Sequence, residues 1–216
     1  MNDLQNILRR LAYIPVIELD HADNAIPLAE ALIAGGIGAI EITLRTDAGL
    51  EGMKRLSATT LPILVGAGTL TRAEHARQCS DVGAKFAVSP GYTDALGAAC
   101  HAVNLPLLPG AVTPSEVMHI LDAGYTALKF FPAHTYGGTG WLKAIRGPLP
   151  QASFVATGGI TDEALPDYWA QPNLLAVGGS SVATAALIRA KDWKEITARA
   201  SKVMAAAKVA RGASLN

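Results

Sequence analysis

Eight times along this chain a short apolar run rich in β-branched residues gives way to an alanine-rich stretch of helical length. This alternation narrows the possible folds more than any single residue does. The runs are "IPVIEL" (14 to 19), "AIEITL" (39 to 44), "PILVGAGT" (62 to 69), "KFAVSP" (85 to 90), "LPLLPG" (105 to 110), "ALKFFPA" (127 to 133), "SFVATGG" (153 to 159) and "LLAVGGS" (174 to 180). Repeated βα units build parallel sheets, and eight of them predict a single closed (β/α)8 TIM barrel over residues 1–216, near the short limit for that fold. A doubly wound open sheet is the runner-up, but no strand is followed by GxGxxG; "GAGTL" lacks the later glycine. "DLQNILRRLA" before the first run predicts an extra N-terminal helix closing the barrel's bottom, and "DWKEITARASKVMAAAKVA" a terminal helix packed outside.

The intervening segments carry helix punctuation. In "NAIPLAEALIAGG", Ile26, Leu28, Ala29, Leu32 and Ile33 approximate one apolar stripe, and Gly35 and Gly36 supply a stop. In "TPSEVMHILDAG", Thr113 can cap, Pro114 suits the first helical position, Glu116 falls three residues after the cap, and Gly124 follows the end. "TRAEHARQCSDVG" and "TDALGAACHAVN" share the pattern, each opening with a threonine.

Charge excludes several function classes. The 18 basic and 18 acidic residues cancel and form no basic run, which leaves no electrostatic footprint for nucleic acid or an anionic membrane and favours a small soluble ligand. The two cysteines, Cys79 and Cys100, lack the spacing of a disulfide framework or zinc site, as expected in a reducing compartment. The first apolar run is too short for a signal-peptide core or a membrane span, so the expected location is cytoplasmic.

In a barrel of this kind the working face lies at the carboxyl ends of the strands. Lys129 is third in "ALKFFPA", where the alternation of a strand groups it with Ala127 and Phe131 and sets Leu128 and Phe130 opposite. If the first set faces the interior, desolvation works against the ammonium and exposes a nucleophilic amine; the competing reading is a lysine that snorkels or pairs within the core. Lys85 opens its strand at the other end, where a role in stability is expected. Glu41 repeats the embedded pattern on the second strand, sharing a face with Thr43 and, by parity, Arg45. Arg45 lies roughly 13 Å further along the strand, so the two charges serve different atoms of one ligand, or else form a structural pair.

"ATGGI" (156 to 160) and "VGGSS" (177 to 181) each end a strand in paired glycines, at the seventh and eighth positions, where barrels often bind phosphate. Ser180 is then a phosphate contact; a serine nucleophile is disfavoured because GxSxG is missing. The five histidines are scattered, without HxH or HExxH, and His134 is expected in a solvated loop. No metal site and no cofactor is predicted.

Taken in order, "IPVI", "AGGIGAIEITLRT", "GAGTL", "FAVSPG", "LPGAVTPSE", "ALKFFPA", "ATGGI" and "VGGSS" closely resemble the class I 2-keto-3-deoxy-6-phosphogluconate (KDPG) aldolase family, including its 4-hydroxy-2-oxoglutarate (KHG) aldolase members. The resemblance runs over nearly the whole chain. It implies that Lys129 forms a Schiff base with the keto acid and that Glu41 moves protons. Arg45 and Thr69 are expected to hold the pyruvate carboxylate, and Thr157, Gly158, Gly159, Gly179 and Ser180 the substrate phosphate. The implied partner is a keto-acid phosphate, and the implied assembly a homotrimer. Two positions depart from the family pattern: many relatives read "PTGGI" and "GGSWL", whereas this chain has Ala156 and Ser181, which bears on the aldehyde that is accepted. Cleavage of KHG or of 2-keto-3-deoxy-6-phosphogalactonate is the nearest alternative. A phosphate-binding isomerase or synthase barrel, a non-catalytic binding barrel and a metal-assisted aldolase are the more distant ones.

Overall fold

Both faces of a sheet wrapped by helices are buried, which is why the apolar runs of this chain are nearly continuous. The computed structural model describes residues 2–212; Met1 and residues 213–216, included in the domain expected over 1–216, lie outside the described residues. In chain order the elements are α1 (Asn2–Leu11), β1 (Tyr13–Ile17), α2 (Ala25–Ala34), β2 (Ala39–Thr43), α3 (Asp47–Ser57), β3 (Leu64–Gly68), α4 (Ala73–Asp81), β4 (Phe86–Val88) and α5 (Asp94–Ala102), then β5 (Leu107–Leu108), β6 (Gly110–Ala111), α6 (Pro114–Asp122), β7 (Ala127–Phe130), α7 (Gly138–Arg146), β8 (Ser153–Thr157), α8 (Leu165–Trp169), β9 (Leu174–Gly179), α9 (Ala185–Ala190) and α10 (Trp193–Arg211).

The strands pair in parallel in the order β5-β4-β3-β2-β1-β9-β8-β7-β6. Only Pro109 separates β5 from β6, so these two form one stave and the sheet closes on itself. Each of the eight expected runs supplies a stave, and the closed (β/α)8 barrel replaces the doubly wound alternative. The fifth run is not the continuous strand expected over 105–110. Pro109 has no N–H to donate. Leu107 pairs with Ala87 on one side of the break and Gly110 with Lys129 on the other, while the Pro109 carbonyl accepts from the Lys129 N–H at 2.7 Å.

Two apolar layers follow from the alternation of the strands, which is interrupted in β9, where a register shift against β8 leaves Leu175 as an extra residue between the Phe154–Leu174 and Val155–Ala176 pairs. Ile14, Phe86, Val88, Leu108, Ala127, Val155, Leu175 and Ala176 fill the interior, and Leu8 of α1 joins them with no exposed surface, so the N-terminal helix plugs the bottom as expected. Leu128, Phe130, Phe154 and Val177 face outward with Leu28, Leu32 and Met53 of the helices. Within the α2 stripe, Leu28, Ala29 and Leu32 are buried while Ile26 and Ile33 lie half-buried at its edge. Helix α10 packs against α2, where the Thr197 hydroxyl donates to the Ala31 carbonyl at 2.9 Å.

The caps divide. Thr113 and Glu116 form a reciprocal capping box on α6, and Thr93 accepts from the Leu96 N–H at the start of α5. Thr71 does not cap α4: that helix starts one residue too late, Arg72 holds the cap position, and the Thr71 N–H donates to His75 Nδ1 instead. Among the described residues, no helix is long and apolar enough to cross a membrane.

Candidate active site

The parity of β7 turns Lys129 and Ala127 inward, and that of β2 does the same for Glu41. Both charged residues are buried, at 6% and 3% exposure, and Lys129 Nζ lies 3.4 Å from Glu41 Oε1. Two unpaired charges at such depth are strongly disfavoured, so their pairing is the condition for placing either there. The ammonium also sits 5.2 Å from the centre of the Phe131 ring, at a distance where the ring's negative face attracts a cation. The structural Glu41–Arg45 pair that the sequence left open does not form: Glu41 pairs with Lys129, and Arg45 lies nearest Glu18.

Room for this carboxylate is made by its neighbours on β3. Gly66 is in register with Glu41 and Gly68 with Thr43. A Cβ on Gly68 falls against the Glu41 carboxyl, within 2.9 Å of its Cδ, and one on Gly66 runs into the Phe86 ring. The glycines of "LVGAG" are therefore the space that Glu41 and Phe86 occupy.

At the carboxyl ends of the neighbouring strands, beyond the level of the pair, opens a cavity of about 500 Å³ whose wall includes neither Lys129 nor Glu41. Its walls include Thr43, Arg45, Thr157, Gly158, Gly159, Gly179 and Ser180, so seven positions from the ends of β2, β8 and β9 converge on one space. Gly158 and Gly159 adopt φ values of +100° and +71°, in the left-handed region that side chains disfavour, and both line the cavity. The Thr157 hydroxyl is buried without a hydrogen-bond partner and borders the cavity, a position in which a bound polar group satisfies it. Thr69 is apart from these residues: it lies just past β3, half-buried and outside the cavity wall, in a left-handed conformation with φ +67°. A threonine held there carries backbone strain.

Two further features escaped sequence reasoning. Glu18, just past β1, lines the same cavity, and its Oε2 stands 3.7 Å from Arg45 Nη1. Tyr13 Oη lies 3.1 Å from Ser181 Oγ, which donates to Asp162 at 2.8 Å. Because the serine proton goes to Asp162, the tyrosine is the donor in the first contact. Burial pushes the Tyr13 phenol up to about 12, and the negative charge of Asp162 adds to the rise. Parity along β1 was the available signal for Glu18; nothing in the sequence links Tyr13 to Ser181.

Lys85 is exposed at the opposite end of its stave, as expected, and His134 is exposed beyond β7. The His134 N–H donates to the Gly158 carbonyl at 3.0 Å. Among the described residues, no three His, Cys, Asp or Glu side chains cluster in a way that can hold a metal ion.

The chain is similar to known proteins along nearly its whole length. A family model described as KDPG and KHG aldolase matches residues 4–199. The 2-dehydro-3-deoxy-phosphogluconate aldolase of Pseudoalteromonas atlantica is 40% identical over 203 residues, 94% of either chain. The KHG/KDPG aldolase of Escherichia coli is 37% identical over 95% of this chain and 96% of its own. In three dimensions, the KDPG aldolase of Legionella pneumophila, solved with pyruvate captured at low pH as a covalent carbinolamine intermediate, superposes with a TM-score of 0.89 at 39% identity, covering 92% of this chain and 97% of that one. The chain, a parallel barrel that holds a buried lysine–glutamate pair and is matched along nearly its whole length by these relatives, belongs to the KDPG and KHG aldolase family.

Proposed function

We propose that this protein is a class I aldolase that cleaves KDPG to pyruvate and glyceraldehyde 3-phosphate through a Schiff base on Lys129. The observation that carries the reading is the buried Lys129–Glu41 pair at 3.4 Å on inward faces of β7 and β2, whose barrel mouth holds a cavity of about 500 Å³, within the size of small-ligand sites.

Lys129 attacks in its neutral form, and Glu41 is the carboxylate within reach of its proton. The Nζ adds to the C2 carbonyl, Glu41 protonates the carbinolamine hydroxyl, and loss of water leaves an iminium. Glu41 then accepts the proton of the C4 hydroxyl. As that oxygen becomes the aldehyde, the C3–C4 electron pair moves into the iminium and forms an enamine. Return of the proton to C3, followed by hydrolysis, releases pyruvate and restores the lysine. Arg45, with Thr69, receives the C1 carboxylate, for which a guanidinium offers a planar fork of donors. The phosphate lies on Thr157, Gly158, Gly159, Gly179 and Ser180. The unpartnered Thr157 hydroxyl and the left-handed Gly158–Gly159 backbone support that end of the assignment.

Incubation with pyruvate and borohydride is expected to leave one reduced pyruvyl adduct on Lys129, located by peptide mass spectrometry. A Lys129→Ala protein with full activity overturns the proposal. The dual name of the Escherichia coli relative favours KHG as a second substrate, and the ratio of kcat/KM values ranks the two. A single domain over 1–216, a homotrimer and a cytoplasmic location complete the reading. Light scattering during gel filtration tests the assembly.

A further inference from the structure

Strand β1 delivers a second carboxylate to the barrel mouth. Ile14 packs in the interior, Val16 borders the cavity, and Glu18 continues that parity into the cavity wall. Val16 is in register with Glu41, so Glu18 projects two residues beyond the level of Glu41, a rise of roughly 6.6 Å. On its other side β1 pairs with β9, Pro15 against Gly179. Glu18 thus stands between Arg45 at the end of β2 and Ser180 beyond β9.

The backbone around it is pinned. The Thr43 hydroxyl donates to the Ile17 carbonyl at 3.1 Å and the Thr46 hydroxyl to the Leu19 carbonyl at 2.6 Å, one on each side of Glu18. The carboxylate itself is about half exposed, and its 3.7 Å separation from Arg45 exceeds hydrogen-bond length. Among the described residues of the cavity wall, Glu18 is the sole anion and Arg45 the sole cation.

KDPG and KHG are identical through C4 and differ at C5, which bears a hydroxyl in the first and is itself a carboxylate in the second. With C2 on Lys129 and the C4 hydroxyl at Glu41, the chain continues upward past the level of Glu18 toward the glycine pairs. We propose that Glu18 is a specificity-determining residue that accepts a hydrogen bond from the C5 hydroxyl and repels a carboxylate at that carbon, favouring KDPG over KHG. The proposal rests on the aldolase reading above. There Arg45 is occupied by the C1 carboxylate, so no cation of the wall offsets a second one.

Steady-state kcat/KM on both substrates tests this in wild-type protein, Glu18→Gln and Glu18→Lys, with thermal melts to verify folding. The KDPG-to-KHG ratio is expected to fall about five- to tenfold in Glu18→Gln, the scale of one half-exposed charge contact, and further in Glu18→Lys. A ratio within about twofold of wild type in both variants overturns the proposal. So does a parallel loss on both substrates with a raised KM for pyruvate in the trapping reaction, which marks a residue that only steadies Arg45. Wild-type protein that borohydride and pyruvate fail to label removes the aldolase reading itself; labelled wild type with an unchanged ratio removes only the role of Glu18.

Discussion

Lys129 Nζ and Glu41 Oε1 meet at 3.4 Å inside the barrel although 88 residues separate them along the chain. Each strand turns its charge inward, and the two are separable by mutation because their chemical tasks differ. Glu41→Gln keeps the shape of the side chain and removes its proton transfer. The expected kcat for cleavage is lower by about 10²- to 10⁴-fold, while long incubation with pyruvate and borohydride still labels Lys129. Lys129→Ala abolishes the label altogether. Stopped-time mass spectrometry beside a coupled pyruvate assay reads both quantities.

Gly68 sits where the Glu41 carboxyl needs space, so its substitution tests positioning rather than chemistry. In Gly68→Ala the new methyl meets the Glu41 side chain from a strand whose backbone is fixed on both sides by β2 and β4. Overpacking of this kind costs about 1–3 kcal/mol, visible in a denaturant melt. Displacement of Glu41 is expected to lower kcat by about 10²-fold with a smaller change in KM. An unchanged kcat at reduced stability means that the carboxylate tolerates the shift.

How much of this was legible depended on whether a feature was local. Strand parity around Lys129 and Glu41 is written in neighbouring residues, and the inward set of Ala127 and Lys129 against the outward set of Leu128 and Phe130 follows directly. The cavity-lining glycines were visible for the same reason, since a Gly-Gly pair ending a strand is a local signal. The break at Pro109 was equally local, yet its effect depends on which neighbour each half-strand meets. The Tyr13–Ser181 contact spans 168 residues and pairs two types with no shared motif, so no periodicity reveals it. Glu18 shows the intermediate case. Its parity was readable, but its value comes from the height of Glu41 and Arg45 on the next strand, which only the register supplies. Thr69 was placed by resemblance, and its left-handed backbone is a property that no pattern of hydrophobicity encodes.

The box at the start of α6 offers a pH-resolved test of stability. Glu116 Oε2 accepts from the N–H groups of Val112 and Thr113 at 2.9 and 2.8 Å, and the Thr113 hydroxyl accepts from the Glu116 N–H at 3.2 Å. Burial pushes this carboxyl up, but the hydrogen bonds outweigh it and hold it below the ordinary 4.5. A depressed carboxyl stabilises the fold above its unfolded value and loses that contribution as the pH falls through the folded one. Glu116→Ala is therefore expected to cost about 1 kcal/mol at pH 7. The difference from wild type should shrink as the pH drops below 4.5, followed by urea melts across that range.

At the alkaline side the buried phenol of Tyr13 sets a slope of the opposite sign. Desolvation raises it from 10.0 to about 12, and burial likewise raises Cys79 to about 12 and Cys100 to about 11. Each is an acid whose neutral form the fold prefers. The stability it contributes is complete below the unfolded value and disappears as the pH climbs through the folded one. For Tyr13 the interval from about 10 to about 12 corresponds to roughly 2–3 kcal/mol of alkali-labile stability. Tyr13→Phe removes this proton from the balance. It also takes away the hydrogen bond to Ser181, at a cost of about 1 kcal/mol near neutrality. The variant is thus expected to be less stable than wild type at pH 8 but to lose stability more slowly between pH 10 and 12. Denaturant melts at intervals over that range check the crossover, and parallel curves for the two proteins show that the phenol titrates without sensing the fold.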